Sequence, residues 1–285
     1  MQTQGWREVA TEVFVHAYDH LDINICVVRG GDDLLLVDSR SSPTEAAELE
    51  VDLQVFAPAR IRVLVNTHAH FDHTFGNQRF GPGSTLEVPI YGHHLLPAHL
   101  DQYERPRLAA WRAGIGGEPD RDWQDVRITP PTHLVATSQS LRIGDRAVDL
   151  HPLRPGHTDT DLVLHVTDAH TWIVGDVVEA SGPPMYGSGC FPLELPDQLA
   201  FLLAELQETD VVVAGHGPVV DRAFVESQFA EADRLAQALR LAHLAGNTAE
   251  QALADQDQWP FPVAGLELAV QRAYLALDRV TEPQA

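Results

Sequence analysis

Along the first three quarters of the chain, short apolar runs with two-residue alternation are separated by single amphipathic segments. Thr11 to Tyr18 reads as a strand. Ile23 to Arg29 and Leu34 to Asp38 are apolar runs joined by Gly30-Gly31-Asp32-Asp33, and glycines between β-rich runs predict a hairpin. Ser42 and Glu45 then have the spacing of a capping box, with Pro43 at a first helical position, so a helix should run to about Phe56. Ile61 to Val65 is a short buried strand that ends on Asn66-Thr67, and Val88 to Tyr91 is another. His93 to about Arg112 reads as mostly helical, with breaks at Pro97 and Pro106. Ala113 to Pro131, rich in Gly, Pro and Asp, reads as a long loop.

Two further hairpins are expected, Gln139–Ile143 with Ala147–His151 and Leu162–Val166 with Thr171–Val174. A helix follows from Pro196 to Glu208, then a buried strand from Val211 to Ala214, and the tail from Asp221 onward is helical. Val225, Phe229, Ala232, Leu235 and Leu239 fall on one face, as do Leu266, Val270, Ala273, Tyr274 and Leu277 in the last helix. Thr248 and Gln251 suggest a second capping box between them. Hairpins interrupted by single helices, without strict βαβ alternation, predict an α+β fold of mixed or antiparallel sheets covered by helices. No solenoid period or low-complexity linker divides the chain. Residues 1–285 are therefore read as one domain, with an insertion at about 93–131 and C-terminal helices at about 221–281.

Charge narrows the partners. The formal net charge is −22, and all 19 basic residues are arginines. Such a surface repels phosphate backbones and anionic lipid at long range, which counts against a nucleic-acid or membrane partner and leaves a small-molecule substrate as the expectation. The two cysteines, Cys26 and Cys190, form no CxxC pair and read as small buried hydrophobes. No apolar run approaches membrane-spanning length, and the polar start from Met1 to Ala10 lacks the pattern of a signal peptide, so a cytoplasmic protein is expected.

The chemistry concentrates in Thr67-His68-Ala69-His70-Phe71-Asp72-His73, directly after a strand. His68 and His70 point the same way in extended chain, while Asp72 and His73 follow where the chain turns into a helix. One extended pair and one turned pair can serve two metals side by side. Three more candidates, His157, Asp176 and His216, each follow a glycine near a strand end, where a missing Cβ lets the backbone crowd a compact site. Five imidazoles and two carboxylates, without sulfur, suit a reactive rather than a purely structural site. Zinc is the first expectation, with iron or manganese compatible.

The run His68-x-His70-x-Asp72-His73, followed in order by His157, Asp176 and His216, resembles the metallo-β-lactamase superfamily. Leu35 to Ser39, including Asp38, also looks like that family's early strand. The resemblance implies a four-layer αβ/βα sandwich with two divalent metals at one edge. It implies that His68, His70 and His157 bind one metal and that Asp72, His73 and His216 bind the other, with Asp176 bridging. A hydroxide held between the metals would attack a carbonyl carbon, and Asp72 would orient it or carry a proton to the leaving group. Thr158 and Asp38 are expected to fix the ligands from behind.

The substrate is less constrained. True β-lactamases of this fold usually lack the bridging carboxylate, so a dedicated β-lactamase is disfavoured. Glyoxalase II has a complete set but uses basic residues for glutathione, and that match is not visible. Lactonases place a tyrosine near the bridging Asp, a part open to Tyr186. Met185, Tyr186 and Phe191, with Trp111 and Trp123, could wall a partly apolar pocket or form core, and Arg105 and Arg107 could meet a substrate carboxylate or simply be solvated. Three functions stay open. They are hydrolysis of an ester, thioester, lactone or amide; a mononuclear iron persulfide dioxygenase using His68, His157 and Asp176; and a phosphodiesterase or nuclease, disfavoured by charge. The C-terminal helices could pack on the sandwich or form a homodimer.

Overall fold

The computed structural model describes residues 5–19, 21–115, 120–254, 259–261 and 265–281. Among the described residues, twelve strands form the framework. The N-terminal half holds β1 (Arg7–Ala10), β2 (Val13–Tyr18), β3 (Ile23–Gly30), β4 (Asp33–Val37), β5 (Arg60–Val65), β6 (Ile90–His93) and β7 (His133–Val135). The C-terminal half holds β8 (Gln139–Ile143), β9 (Arg146–Pro152), β10 (Leu162–Val166), β11 (Thr171–Glu179) and β12 (Val211–His216). The order is β7-β6-β5-β4-β3-β12-β11-β10-β9-β8, with the β1–β2 hairpin attached to β3. Pairing is mixed: β4, β5, β6 and β7 run parallel, as do β11 and β12, and the other pairs are antiparallel.

The near-continuous apolar runs have a simple cause. Successive side chains of a strand point to opposite faces, and here both faces are covered. Cys26, Val28, Leu35, Val37, Val63 and Val65 pack inward against Leu162, Leu164, Val166, Ile173 and Val213 from the other half. Their alternates Ile25, Val27, Leu34, Leu36 and Leu64 face α1 (Pro43–Asp52), through Ala46 and Leu49. On the far side Val163, Trp172, Val174, Val212 and Ala214 lie under three further helices, α5 (Leu195–Glu205), α6 (Arg222–Leu244) and α8 (Glu267–Thr281). The layers are therefore helix, sheet, sheet, helix, the expected αβ/βα sandwich. The apolar faces predicted for the tail supply this cover, with Val225, Ala232, Leu235, Leu239, Val270, Ala273 and Tyr274 buried. Both cysteines are buried and unpaired.

Several local expectations needed correction. Ser42 Oγ accepts from the Glu45 amide at 3.1 Å, but the Glu45 carboxylate turns to the Ser41 amide and hydroxyl rather than completing the box on Ser42. The box at Thr248 and Gln251, ahead of α7 (Ala249–Ala254), is reciprocal. Pro97 and Pro106 do not break the helical stretch. Pro97 sits in the first turn of α3 (Leu96–His99), where its missing N–H costs nothing, and Pro106 follows a π-turn, Leu100–Glu104, that carries the helix on into α4 (Arg105–Arg112). β11 continues to Glu179, so Asp176 lies within a strand rather than at its end. Residues 116–119 of the expected loop lie outside the described residues. No helix among the described residues is long and apolar enough to cross a membrane.

The two halves meet at a narrow seam, where β3 and β12 share one pair, Ile23 with His216. Asn24, 4 % exposed, reinforces it by donating from its side chain to the Ala214 and Gly217 carbonyls at 3.0 and 2.8 Å. Asn24→Ala should cost about 1–3 kcal/mol, because two buried carbonyls lose a donor. A urea titration should show a lower midpoint with unchanged slope. An unchanged midpoint would mean that the backbone pair alone holds the seam.

Candidate metal centre

One edge of the sandwich gathers the loops that leave β5, β9 and β12 and the bent end of β11. After β5 the chain passes Asn66 and Thr67, presents His68 and His70, and winds into α2 (Phe71–Thr74), which carries Asp72 and His73. Two buried asparagines and Ser39 hold this turn. Asn66 Nδ2 and Ser39 Oγ both donate to the His73 carbonyl, at 3.0 and 3.1 Å, and the Asn66 and Asn77 side-chain amides pair with each other. Gly175 adopts φ +54°, which swings β11 out of register and aims Asp176 at the site. A Cβ on Gly215 would lie 1.8 Å from Asp176 Oδ1, so only glycine lets β12 pass that close.

All seven sequence candidates converge here, each 8 % exposed or less. His70 Nδ1 lies 3.0 Å from His68 Nε2 and 3.2 Å from His157 Nε2, and Asp176 Oδ2 lies 3.6 Å from each of those Nε2 atoms. His73 Nε2 is 3.3 Å from Asp176 Oδ1 and 3.7 Å from Asp72 Oδ2, while His216 Nε2 is 3.4 Å from both Asp72 Oδ2 and Asp176 Oδ2. Donor atoms 2.0–2.2 Å from a tetrahedral ion stand roughly 3.3–3.6 Å apart, so both groups have the spacing of a coordination shell. His68, His70, His157 and Asp176 make one group able to hold a metal, and Asp72, His73 and His216 make a second. His73 Nε2 and Asp176 Oδ1 are buried without a hydrogen-bond partner, as expected of atoms directed at an ion.

The rings are oriented from behind. His70 Nε2 donates to the Ser188 carbonyl at 2.9 Å, and His216 Nδ1 donates to the Leu21 carbonyl at 2.8 Å. His73 Nδ1 donates to Asp38 Oδ2 at 2.8 Å. Each bond occupies one ring nitrogen and leaves the inward one as an electron-pair donor. Asp38, at φ +65°, also accepts from the Thr67 amide and hydroxyl. Thr158 was expected to touch a ligand. It instead bonds Asp161 and Thr160, and it braces the loop rather than the His157 ring. Gln198 of α5, which sequence reasoning missed, accepts from the His157 amide and donates to Asp161.

Electrostatics divides the two groups. Burial and His73 hold the His68 imidazole well below its usual pKa, and burial with His157 brings His70 to about 3. At the second group burial also opposes charge, but Asp176, Asp72 and Asp38 together outweigh it and hold His73 well above its usual value. Asp176 and Asp72 likewise overcome burial at His216, which is pushed up to about 12. Burial would raise both carboxyls, yet His73 and His216 hold Asp72, and His216, His73 and His68 hold Asp176, below the carboxylate range. The carboxylates thus draw positive charge to this point, a demand that a divalent cation meets once the imidazoles release their protons.

A cavity of about 340 Å³ opens onto the centre, lined by Leu21, Phe71, Arg107, Arg121 and Met185 beside His70, Asp72, Asp176 and His216. Met185 and Arg107 therefore face it. Tyr186 does not: its ring is buried in the helix-covered core, so the lactonase-like part considered for it is not supported. Trp123, fully buried, packs edge-on against Phe71 and Phe75, with Trp111 behind it, and underpins the site instead of walling it. Phe191 lies beneath Arg272, and Arg105 pairs with Asp101 at the surface. Nothing in the local sequence around Arg121 marks it as a cavity residue.

The family model described as the metallo-beta-lactamase superfamily matches residues 18–216, a span that contains every residue of both groups. The chain belongs to this superfamily. Among curated relatives it is similar to acyl-coenzyme A thioesterase MBLAC2 of Homo sapiens and of Bos taurus, each 27% identical over 169 residues. The match covers 54% of this chain and 58% of each relative, so the chain spans little more than half the length of the curated relatives it matches. Among solved structures, a metallo-beta-lactamase from Pontibacter korlensis is 18% identical with a TM-score of 0.60, over 79% of this chain and 98% of that one. The sec-alkylsulfatase Pisa1 from Pseudomonas sp. is 14% identical with a TM-score of 0.75, over 95% of this chain and 50% of that one. Both likenesses are of fold, the sandwich of the metallo-β-lactamase superfamily.

Asp38 gives this superfamily site a direct test. Asp38→Asn keeps an acceptor for the Thr67 amide but loses the carboxylate that fixes the His73 tautomer. Should two zinc ions bind, competition against a chelator is expected to show one binding equivalent weakened by roughly 10–100-fold and the other little changed. Equal weakening of both, or none, would mean that Asp38 does not act through His73.

Proposed function

We propose that the protein is a binuclear metal hydrolase, with zinc as the first-choice ion, acting on a small-molecule thioester or a closely related carbonyl compound. The observation that carries this reading is the pair of interlocked donor groups sharing Asp176, with the second group complete in Asp72, His73 and His216. His68, His70 and His157 would hold one ion and Asp72, His73 and His216 the other, with Asp176 between them. Bound there, two divalent cations would supply Lewis acidity, lowering the pKa of water and polarising a carbonyl oxygen.

The chain's own residues define the rest. Phe71 and Met185 offer the cavity an apolar surface for an acyl group, and Asp72 stands where that cavity meets the centre. Its carboxylate faces both the second donor group and the cavity, so Asp72 suits orientation of the attacking water as a hydrogen-bond acceptor. A thioester fits this arrangement, since a thiol of pKa about 8.5 leaves as the thiolate without a strong acid beside it. The thioester class draws support from the similarity to the two acyl-coenzyme A thioesterases.

The test is hydrolysis of acyl-coenzyme A thioesters of graded chain length by the zinc-loaded protein, with free thiol as the readout. Chelation should abolish turnover and zinc should restore it. Asp72→Asn should lower kcat on the order of 10²–10⁴-fold. Oxygen consumption with a persulfide, one iron per chain and no thiol release would replace this reading with the mononuclear dioxygenase.

A further inference from the structure

The cavity has a cationic wall in a strongly acidic protein. Arg107 and Arg121 both line it, and each guanidinium lies over the Phe71 ring, at 5.2 and 5.0 Å from the ring centre. Phe71 stands between His70 and Asp72 in the chain, so both cations sit at a set position relative to the centre. Their bonding differs. Arg107 is engaged, with Nε 3.1 Å from Oε2 of the fully buried Glu104 and Nη2 donating to Ser188 Oγ at 3.0 Å. Nη1 of Arg121 is shielded from solvent and has no hydrogen-bond partner.

A shielded guanidinium N–H without an acceptor is costly, and a ligand that supplies the acceptor removes the cost. The planar fork of arginine matches carboxylate and phosphoryl oxygens. The long-range field of a chain with net charge −22 opposes an approaching anion, so binding one requires a local cation of this kind.

We propose that Arg121 is the specificity residue of the cavity: it holds an anionic oxygen group, carboxylate or phosphoryl, borne by the substrate away from the bond that is cleaved. Arg107, tied to Glu104, positions the Phe71 ring on which Arg121 rests. The inference rests on the hydrolase reading for the reacting end of the substrate and adds what selects the other end.

Two measurements separate the two readings. The first is calorimetric binding of glutarate, 4-phosphonobutyrate and butyrate to the zinc-loaded protein. All three offer one carboxylate to the centre, and only the first two carry a second anionic group. Wild type should bind at least one of these about tenfold or more tighter than butyrate, and Arg121→Gln should reduce that advantage to about twofold or less. Arg121→Lys should retain an intermediate advantage, and this second variant guards against a folding defect in the first. The second measurement compares kcat/KM for glutaryl and butyryl thioesters of one neutral thiol, and for the butyryl thioester of phosphopantetheine. The anionic advantage should appear mainly in KM and should shrink in Arg121→Gln. Preference for the glutaryl compound assigns the anion to the acyl group, and preference for the phosphopantetheine compound assigns it to the thiol. An advantage that is absent, or that survives in Arg121→Gln, overturns the proposal even if every thioester is hydrolysed. Failure of all thioesters with the calorimetric advantage intact overturns the thioesterase reading and leaves Arg121 as the anion site.

Discussion

A carboxylate kept from water must find compensating charge or hydrogen bonds. Asp176 is only 6 % exposed, and four imidazole nitrogens, from His68, His73, His157 and His216, lie within 3.6 Å of its oxygens. Those histidines come from the loop after β5 and the helix α2 that follows it, the loop after β9 and the end of β12. Satisfying this one buried charge therefore draws together the edges of both half-sheets. The layers of the sandwich supply the rigidity. Inward residues such as Leu35 and Leu164 lock one sheet to the other, and the outward alternates are clamped by helices. The seam at Ile23 and His216 places a site residue at the point where the halves join.

Much of this was legible in the sequence, for physical reasons. A strand covered on both faces must be apolar at nearly every position, which made β3, β4, β10 and the start of β11 visible. Site histidines close in sequence or next to glycine were equally visible, because a compact site needs short spacing and small neighbours. β1 and β7 were missed. Their residues are largely exposed, and partners supplied by the fold, β2 and β6, make them strands. The run through Asp176 looked like a strand end because Gly175 and the register shift interrupt the pattern without ending the pairing. Bonds between distant residues had no local signature: Gln198 reaches the His157 amide across 41 positions, and Asn77 pairs with Asn66 after a turn.

The cavity shows the same limit. Aromatic residues in a Gly- and Pro-rich segment read equally well as pocket or as core, since both bury apolar surface. Tyr186 and Trp123 went to the core, whereas Met185 and Phe71 face the cavity. Trp123 still bears on function, because it supports the short helix from which Asp72 and His73 project. The segment from 105 to 123 thus acts on the centre twice, by propping α2 from behind and by bringing Arg107 and Arg121 to its front.

The proposed hydrolase needs two metals, which two donor groups sharing Asp176 would hold. Anomalous diffraction at the zinc edge, from crystals of the zinc-saturated protein, tests it most directly. Two peaks per chain are expected, one about 2.0–2.2 Å from donor atoms of His68, His70 and His157, the other at the same distance from Asp72, His73 and His216, with Asp176 reaching both. A single peak at saturating zinc, with His73 and His216 left bonded to the carboxylates alone, would contradict it.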